Sequence, residues 1–308
     1  MLVCVFVTVV LSTTATYVVG WSQRGDRQFL WSNYLSWMDY SVYYSYIHQA
    51  MDGAVVFTNY FTAEPQTGGM INIFWLGVGW FAKLFGLSAQ AAFHFARIFW
   101  IGCFIAVAYG FIAYLFRDVR HRVLALFFVL YSGGVGVVVR SVTEMLGFAD
   151  KQAEAAVVAT QKYAPFSIDL WVPDSNTYLI LKQSPHLIAS LTLMLLVFLL
   201  VLCALESKSL RYSAVAGLAA TALFQFHPYQ VGTIYGVVGA YFLVLFVLKK
   251  EAIIDLIKHG TILLACSLPS VLYYVWLLFS DWRTRQLAIE NVCITPPPWH
   301  VATGYGAV

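Results

Sequence analysis

The chain has 308 residues, of which 60% are hydrophobic and only 11% charged, and its formal net charge is +3. Soluble domains carry roughly 25% charged residues, so this composition excludes an ordinary soluble fold and points to a lipid environment. The positive balance is small and dispersed, which argues against nucleic acid as a partner.

Residues 2–20, from Leu2-Val3-Cys4 to Val18-Val19-Gly20, are predicted to form a first transmembrane helix. No basic n-region precedes the apolar run, so it reads as a retained helix rather than a cleaved signal peptide. Further spans are predicted at 91–116, 123–139, 186–205, 213–226, 231–248 and 260–279. An eighth is expected to begin after Pro296-Pro297-Pro298. Since Val308 interrupts that apolar run, the chain is expected to be C-terminally incomplete. The expectation is an all-α, polytopic transmembrane bundle of about eight spans, forming one domain over residues 1–308.

The segment 69–86 is ambiguous, and the basic residues decide it. If it does not cross, the short loops holding Arg117, Arg120 and Arg122, then Lys208 and Arg211, then Lys249, Lys250 and Lys258 all share one side. The positive-inside rule places that side in the cytoplasm. The long segments 21–90, 140–185 and 280–298 then lie outside, with most of the acidic residues. Segment 69–86 becomes an interfacial helix with Phe74, Trp75, Trp80, Phe81 and Phe85 at headgroup depth. In 40–52, Tyr40, Tyr43, Tyr44, Ile47 and Met51 follow helical spacing, while Ser41, Ser45, His48, Gln49 and Asp52 take the opposite face. This predicts a second short helix, ended by Gly53. Cys4, Cys103, Cys203 and Cys266 sit in apolar runs and only Cys293 in a polar loop, so the cysteines give neither a disulfide framework nor metal spacing.

One span, a long outer loop with an early acid at Asp39 and two interfacial helices, then a second span ending in a basic inner loop: this order resembles the GT-C class of integral-membrane glycosyltransferases. The runs Phe74-Trp75-Leu76 to Lys83-Leu84-Phe85-Gly86, and Phe93-His94-Phe95-Ala96-Arg97, are similar to that class, which includes protein O-mannosyltransferases and aminoarabinose transferases. The resemblance covers residues 1–140 in detail. The chain departs from the class pattern at Tyr40-Ser41 after the acid and at Glu64-Pro65-Gln66.

The resemblance implies transfer of a sugar from a polyprenyl-phosphate donor to an acceptor at the outer face of the plasma membrane. No cofactor is implied to be required, and a divalent cation is compatible. Such chemistry needs a base for the acceptor proton and donors or positive charge for the departing phosphate. Asp39 is the expected base, although an Asp directly before a helix is also a favoured N-cap. Arg97 is expected near the phosphate, with His227 as a second candidate there, and a residue snorkelling to the interface is the bland alternative for Arg97. Glu64 or Asp174 is expected on the sugar, with Glu64 also a candidate to help hold a divalent cation, against solvated loop acids. His186 and His227, each beside a proline on the outer side, are expected to line one outward pocket, against interfacial histidines with ordinary partners. A membrane transporter or channel for a lipid or small solute is the rival reading. It ranks second because no internal repeat is visible and the charges cluster at span ends.

Overall fold

The computed structural model describes residues 1–33, 37–66, 69–131, 133–147, 176–290 and 298–305. Among them the chain is all-helical, with a single isolated bridge between Phe57 and Met70. The helices are α1 (Leu2–Ser22), α2 (Trp37–Met51), α3 (Ile73–Phe85), α4 (Ala89–Leu115), α5 (Val119–Tyr131), α6 (Gly136–Met145), α7 (Thr177–Gln183), α8 (Pro185–Ser207), α9 (Leu210–Phe224), α10 (Gln230–Val247), α11 (Ile253–Ser280), α12 (Trp282–Glu290) and α13 (Pro298–Tyr305). Five of them, α1, α4, α8, α10 and α11, are long and apolar enough to cross a membrane. That is the build of an integral, multi-pass membrane protein.

The helices define two ends of a bundle. α1 and α4 are antiparallel, with Tyr17 against His94 (ring centroids 4.6 Å apart) and Val9 in one cluster with Ile101 and Phe104. The chain therefore leaves α1 and enters α4 at the same end, and α2 and α3 pack there. α8 also starts at this end, and α9 and α11 finish there. The opposite end gathers the basic turns. Lys208 pairs with Glu251, and Ser213 bonds His259 at 2.7 Å, joining the α8–α9 and α10–α11 connections.

Small residues and hydroxyls bind α9 to α11. A Cβ on Gly217 would lie 2.5 Å from the Cβ of Cys266, so the two backbones are nearly in contact. Along this seam Thr221 donates to the Cys266 carbonyl (2.6 Å) and Ser270 to the Thr221 carbonyl (2.8 Å). In an apolar solvent, close packing and interhelical hydrogen bonds take over the role of hydrophobic burial.

α2 and α3 meet in the same way. Asn72 caps α3 by accepting from the amides of Phe74 and Trp75, and Gly86 ends it in the left-handed conformation at φ 63°. A Cβ on Gly79 would stand 2.3 Å from the Cβ of Ala50 and 2.8 Å from the Ile47 carbonyl oxygen. Gly79→Val is expected to destabilise the protein by about 1–3 kcal/mol through overpacking, read as a lowered Tm in detergent. An unchanged Tm would show that α2 can move away freely.

Three sequence expectations are corrected here. The span at 123–139 is two helices, α5 and α6, because Gly133-Gly134 interrupts the run and glycine is a poor helix former. The second helix begins at Trp37, a turn earlier than expected, since Trp37 stands three residues before Tyr40 and extends its stripe. Asp39 thus lies in the first turn of α2 and is not its N-cap. The polar face of α2 is not wholly solvent-facing either: Gln49 is buried and bonds the backbone of Thr58 both ways, at 2.8 and 2.9 Å.

Candidate functional site

The site is built around the break between α7 and α8. Proline at position 185 disfavours helical backbone at the residue before it, and Ser184 is extended (φ −139°, ψ 137°), so α7 stops at Gln183. The last carbonyls of a helix have no partner within it. Three side chains from elsewhere reach three successive ones. Arg97 donates to the Leu181 carbonyl at 3.3 Å, Tyr17 to that of Lys182 at 2.6 Å, and Tyr40 to that of Gln183 at 2.5 Å. The Tyr17 and Tyr40 hydroxyls also touch, at 2.6 Å, so two protons serve three contacts and one is shared.

Arg97 is fully buried, and its remaining bonds run to the hydroxyls of Thr13 (3.0 Å) and Thr14 (2.8 Å). Its guanidinium lies 5.1 Å from the centre of the Tyr17 ring, and among the described residues no carboxylate pairs with it. The negative ends of the α7 carbonyl dipoles take the place of a counter-ion. Arg97 therefore joins α1, α4 and α7. It neither snorkels nor faces a cavity.

Beside this clamp opens a cavity of about 340 Å³. One wall is Asp39, Tyr40 and Tyr43 of α2. Another is Gln183, Ser184, His186 and Leu187 at the α7–α8 break. The third is Phe226, His227 and Tyr229, in the turn between α9 and α10. The rings hold each other in place. Tyr43 stacks on Trp75 (4.8 Å, 18°) and meets His186 edge-on (4.6 Å, 61°), and His186 stacks on His227 (5.0 Å, 18°).

Asp39 is exposed at the cavity rim, and among the described residues it makes neither a hydrogen bond nor an ion pair. Partial loss of solvent against the wall raises its pKa above the usual carboxylate value. Tyr40 is buried, and that burial, together with neighbouring Tyr17, raises its phenol well above the usual range, so it stays a proton donor.

His227 is 3% exposed. Its Nδ1 pairs with the Tyr229 hydroxyl, and its Nε2 is buried with no partner. Burial lowers its pKa to about 4. The folded ring holds fewer protons than the unfolded one between about 6.5 and about 4, so this group's contribution to stability is lost as pH falls through that window. Unfolding measured at pH 7 and pH 5 is expected to show about 2 kcal/mol of this loss, and His227→Gln is expected to remove it. An identical pH slope in the variant would place the titration elsewhere in the cluster.

The structure thus brings together Asp39, His186 and His227. Arg97 lies behind the cavity wall rather than on it. Glu64 is exposed in the loop after α2, where its amide donates to Thr62 Oγ1 at 3.3 Å, away from the cavity lining. Asp174, with Trp171 to Ser175, falls outside the described residues. The sequence reading missed Tyr17, and it took Tyr40 and Tyr43 for packing alone. One signal was present: Thr13 and Tyr17 stand four residues apart on a predominantly apolar helix and are both buried. Among the described residues no three His, Cys, Asp or Glu side chains gather as metal ligands.

The chain matches no protein-family model, no curated protein and no solved structure.

Proposed function

We propose that this protein is a GT-C-like membrane glycosyltransferase that moves a sugar from a polyprenyl-phosphate-linked donor to an acceptor hydroxyl at the outer face of the plasma membrane. The observation that carries the reading is the cavity's single acidic side chain among the described residues. Asp39 stands unpaired, with a raised pKa, on a wall of neutral hydrogen-bonding groups, at the bundle end opposite the basic turns. A carboxylate of that kind is suited to accept the acceptor proton as the glycosidic bond forms. The Asp39 carboxylate would take this proton, the acceptor oxygen would bond to the anomeric carbon, and the donor's C–O bond would break to leave the lipid phosphate.

In this reading the basic turns are cytoplasmic, and α2 and α3 lie at the outer interface, where exposed Trp80, Leu84 and Phe85 meet lipid. The shorter α5 and α9 complete the crossings. Positive charge for the departing phosphate comes from outside the cavity lining. Lys182, one residue before Gln183 and half-buried, is the candidate. Glu64 would serve the sugar only if its loop reaches the cavity when donor binds.

The test is transfer by the purified protein in liposomes, with a radiolabelled sugar on a short-chain polyprenyl phosphate and a panel of hydroxyl acceptors. Label moving to an acceptor is the expected result. Uptake of free solute with no transfer to any acceptor would replace the enzyme with a transporter.

A further inference from the structure

We propose that the cavity is the acceptor subsite, and that the part of the ligand entering it is uncharged and hydroxyl-bearing, about one sugar ring in size. The word acceptor rests on the transferase reading; the ligand chemistry rests on the cavity alone.

Charge comes first. Among the described lining residues Asp39 is the one acid, and no described lysine or arginine accompanies it. The buried Arg97 has no exposed surface; its two terminal nitrogens are committed to Thr13, Thr14 and the Leu181 carbonyl, and its Nε is buried without a partner. A phosphate or carboxylate drawn into this space would face a like charge with no cation among the described lining residues to offset it, in surroundings that already disfavour the ionised form of Asp39. An anionic donor group is therefore kept out of the cavity and held elsewhere.

Hydrogen bonding comes second. His227 is almost completely buried, yet its Nε2 has no partner within the protein. An orphaned polar atom of this kind is unfavourable and marks a place for an exchangeable partner. The ring is neutral at pH 7, so Nε2 can meet a hydroxyl without introducing a charge. Size comes third. At about 340 Å³ the space sits at the small end of ligand pockets, ~300–1,000 Å³, and its aromatic wall of Tyr43, Phe226 and Tyr229 offers apolar faces to ring C–H groups.

Calorimetric titration of the full chain in detergent, at pH 7, distinguishes these points without any turnover. The probes are methyl glucoside and the same ring carrying a 6-phosphate. The neutral glycoside is expected to bind at least tenfold more tightly. Asp39→Asn, a change at an exposed position, is expected to shrink that ratio below threefold by strengthening binding of the phosphate ester. His227→Phe keeps a ring in place and is expected to weaken the neutral glycoside roughly tenfold. Its melting curve is recorded alongside, and if this variant fails to fold, the Asp39→Asn ratio decides alone. Tighter binding of the phosphate ester by the unmodified protein, or no binding of either probe, would overturn the proposal. Binding as expected with no transfer from any donor removes the transferase reading and leaves the ligand chemistry standing. Transfer with the phosphate ester preferred does the reverse.

Discussion

Asp39→Asn is expected to lower sugar transfer by roughly two or more orders of magnitude while leaving expression and Tm close to those of the unmodified protein. Loss of a positioned acid–base group has an effect of that size. Asparagine keeps the shape of the side chain and removes only its capacity to take a proton. The structural cost is small because Asp39 is exposed, makes no bond among the described residues and stands in the first turn of α2 instead of capping it. What the substitution forfeits there is a favourable charge–dipole interaction of about 0.3–1 kcal/mol. The raised pKa adds a second readout. Transfer by the unmodified protein should rise with pH through a value above the ordinary carboxylate range, as the base becomes ionised, and this limb should vanish with Asp39→Asn. Near-normal transfer by the variant would remove Asp39 from the chemistry. A fall in Tm proportional to the fall in activity would make it a structural residue.

The spans were legible because hydropathy over about 20 residues is a strong local signal, and α1, α4, α8, α10 and α11 carry it almost undiluted. The α5–α6 break was harder to see. Gly133-Gly134 is a weak punctuation inside an apolar run, and only the packed structure shows that the helix stops there. In the site, His186 and His227 were readable from the prolines beside them, because a helix break in an apolar chain must give its backbone somewhere to go. Asp39 was readable as an isolated acid. The clamp was not readable as a unit. Its donors, Tyr17, Tyr40 and Arg97, and its acceptors, the carbonyls of 181–183, are far apart in sequence, and backbone carbonyls leave no trace in residue identity. Arg97 illustrates the limit. Its position near the start of a span could be read off, but its partners, two hydroxyls of α1 and one main-chain carbonyl 84 residues away, could not.

Those partners set the other large expectation. Arg97→Leu should destabilise the protein by on the order of 3–5 kcal/mol, since it leaves the Leu181 carbonyl and the Thr13 and Thr14 hydroxyls buried without their charged donor. Arg97→Lys should cost less, on the order of 1–3 kcal/mol. An ammonium keeps the charge beside the α7 carbonyls but cannot span the two threonines and Leu181 with a planar fork. The competing consideration is that burying a charge is itself unfavourable, so an apolar replacement that repacked well could be neutral or stabilising. It loses here because the Leu181 carbonyl and the two threonine hydroxyls remain when the guanidinium is gone. Chemical unfolding in detergent measures the order, with the unmodified protein above Arg97→Lys and Arg97→Leu lowest. A stable Arg97→Leu protein would mean that the clamp contributes nothing. Donor affinity separates this role from phosphate binding. Arg97 has no exposed surface, so Arg97→Lys should bind a polyprenyl-phosphate sugar as the unmodified protein does, per folded molecule. A tenfold loss of donor affinity at unchanged Tm would move Arg97 out of the clamp and onto the donor phosphate.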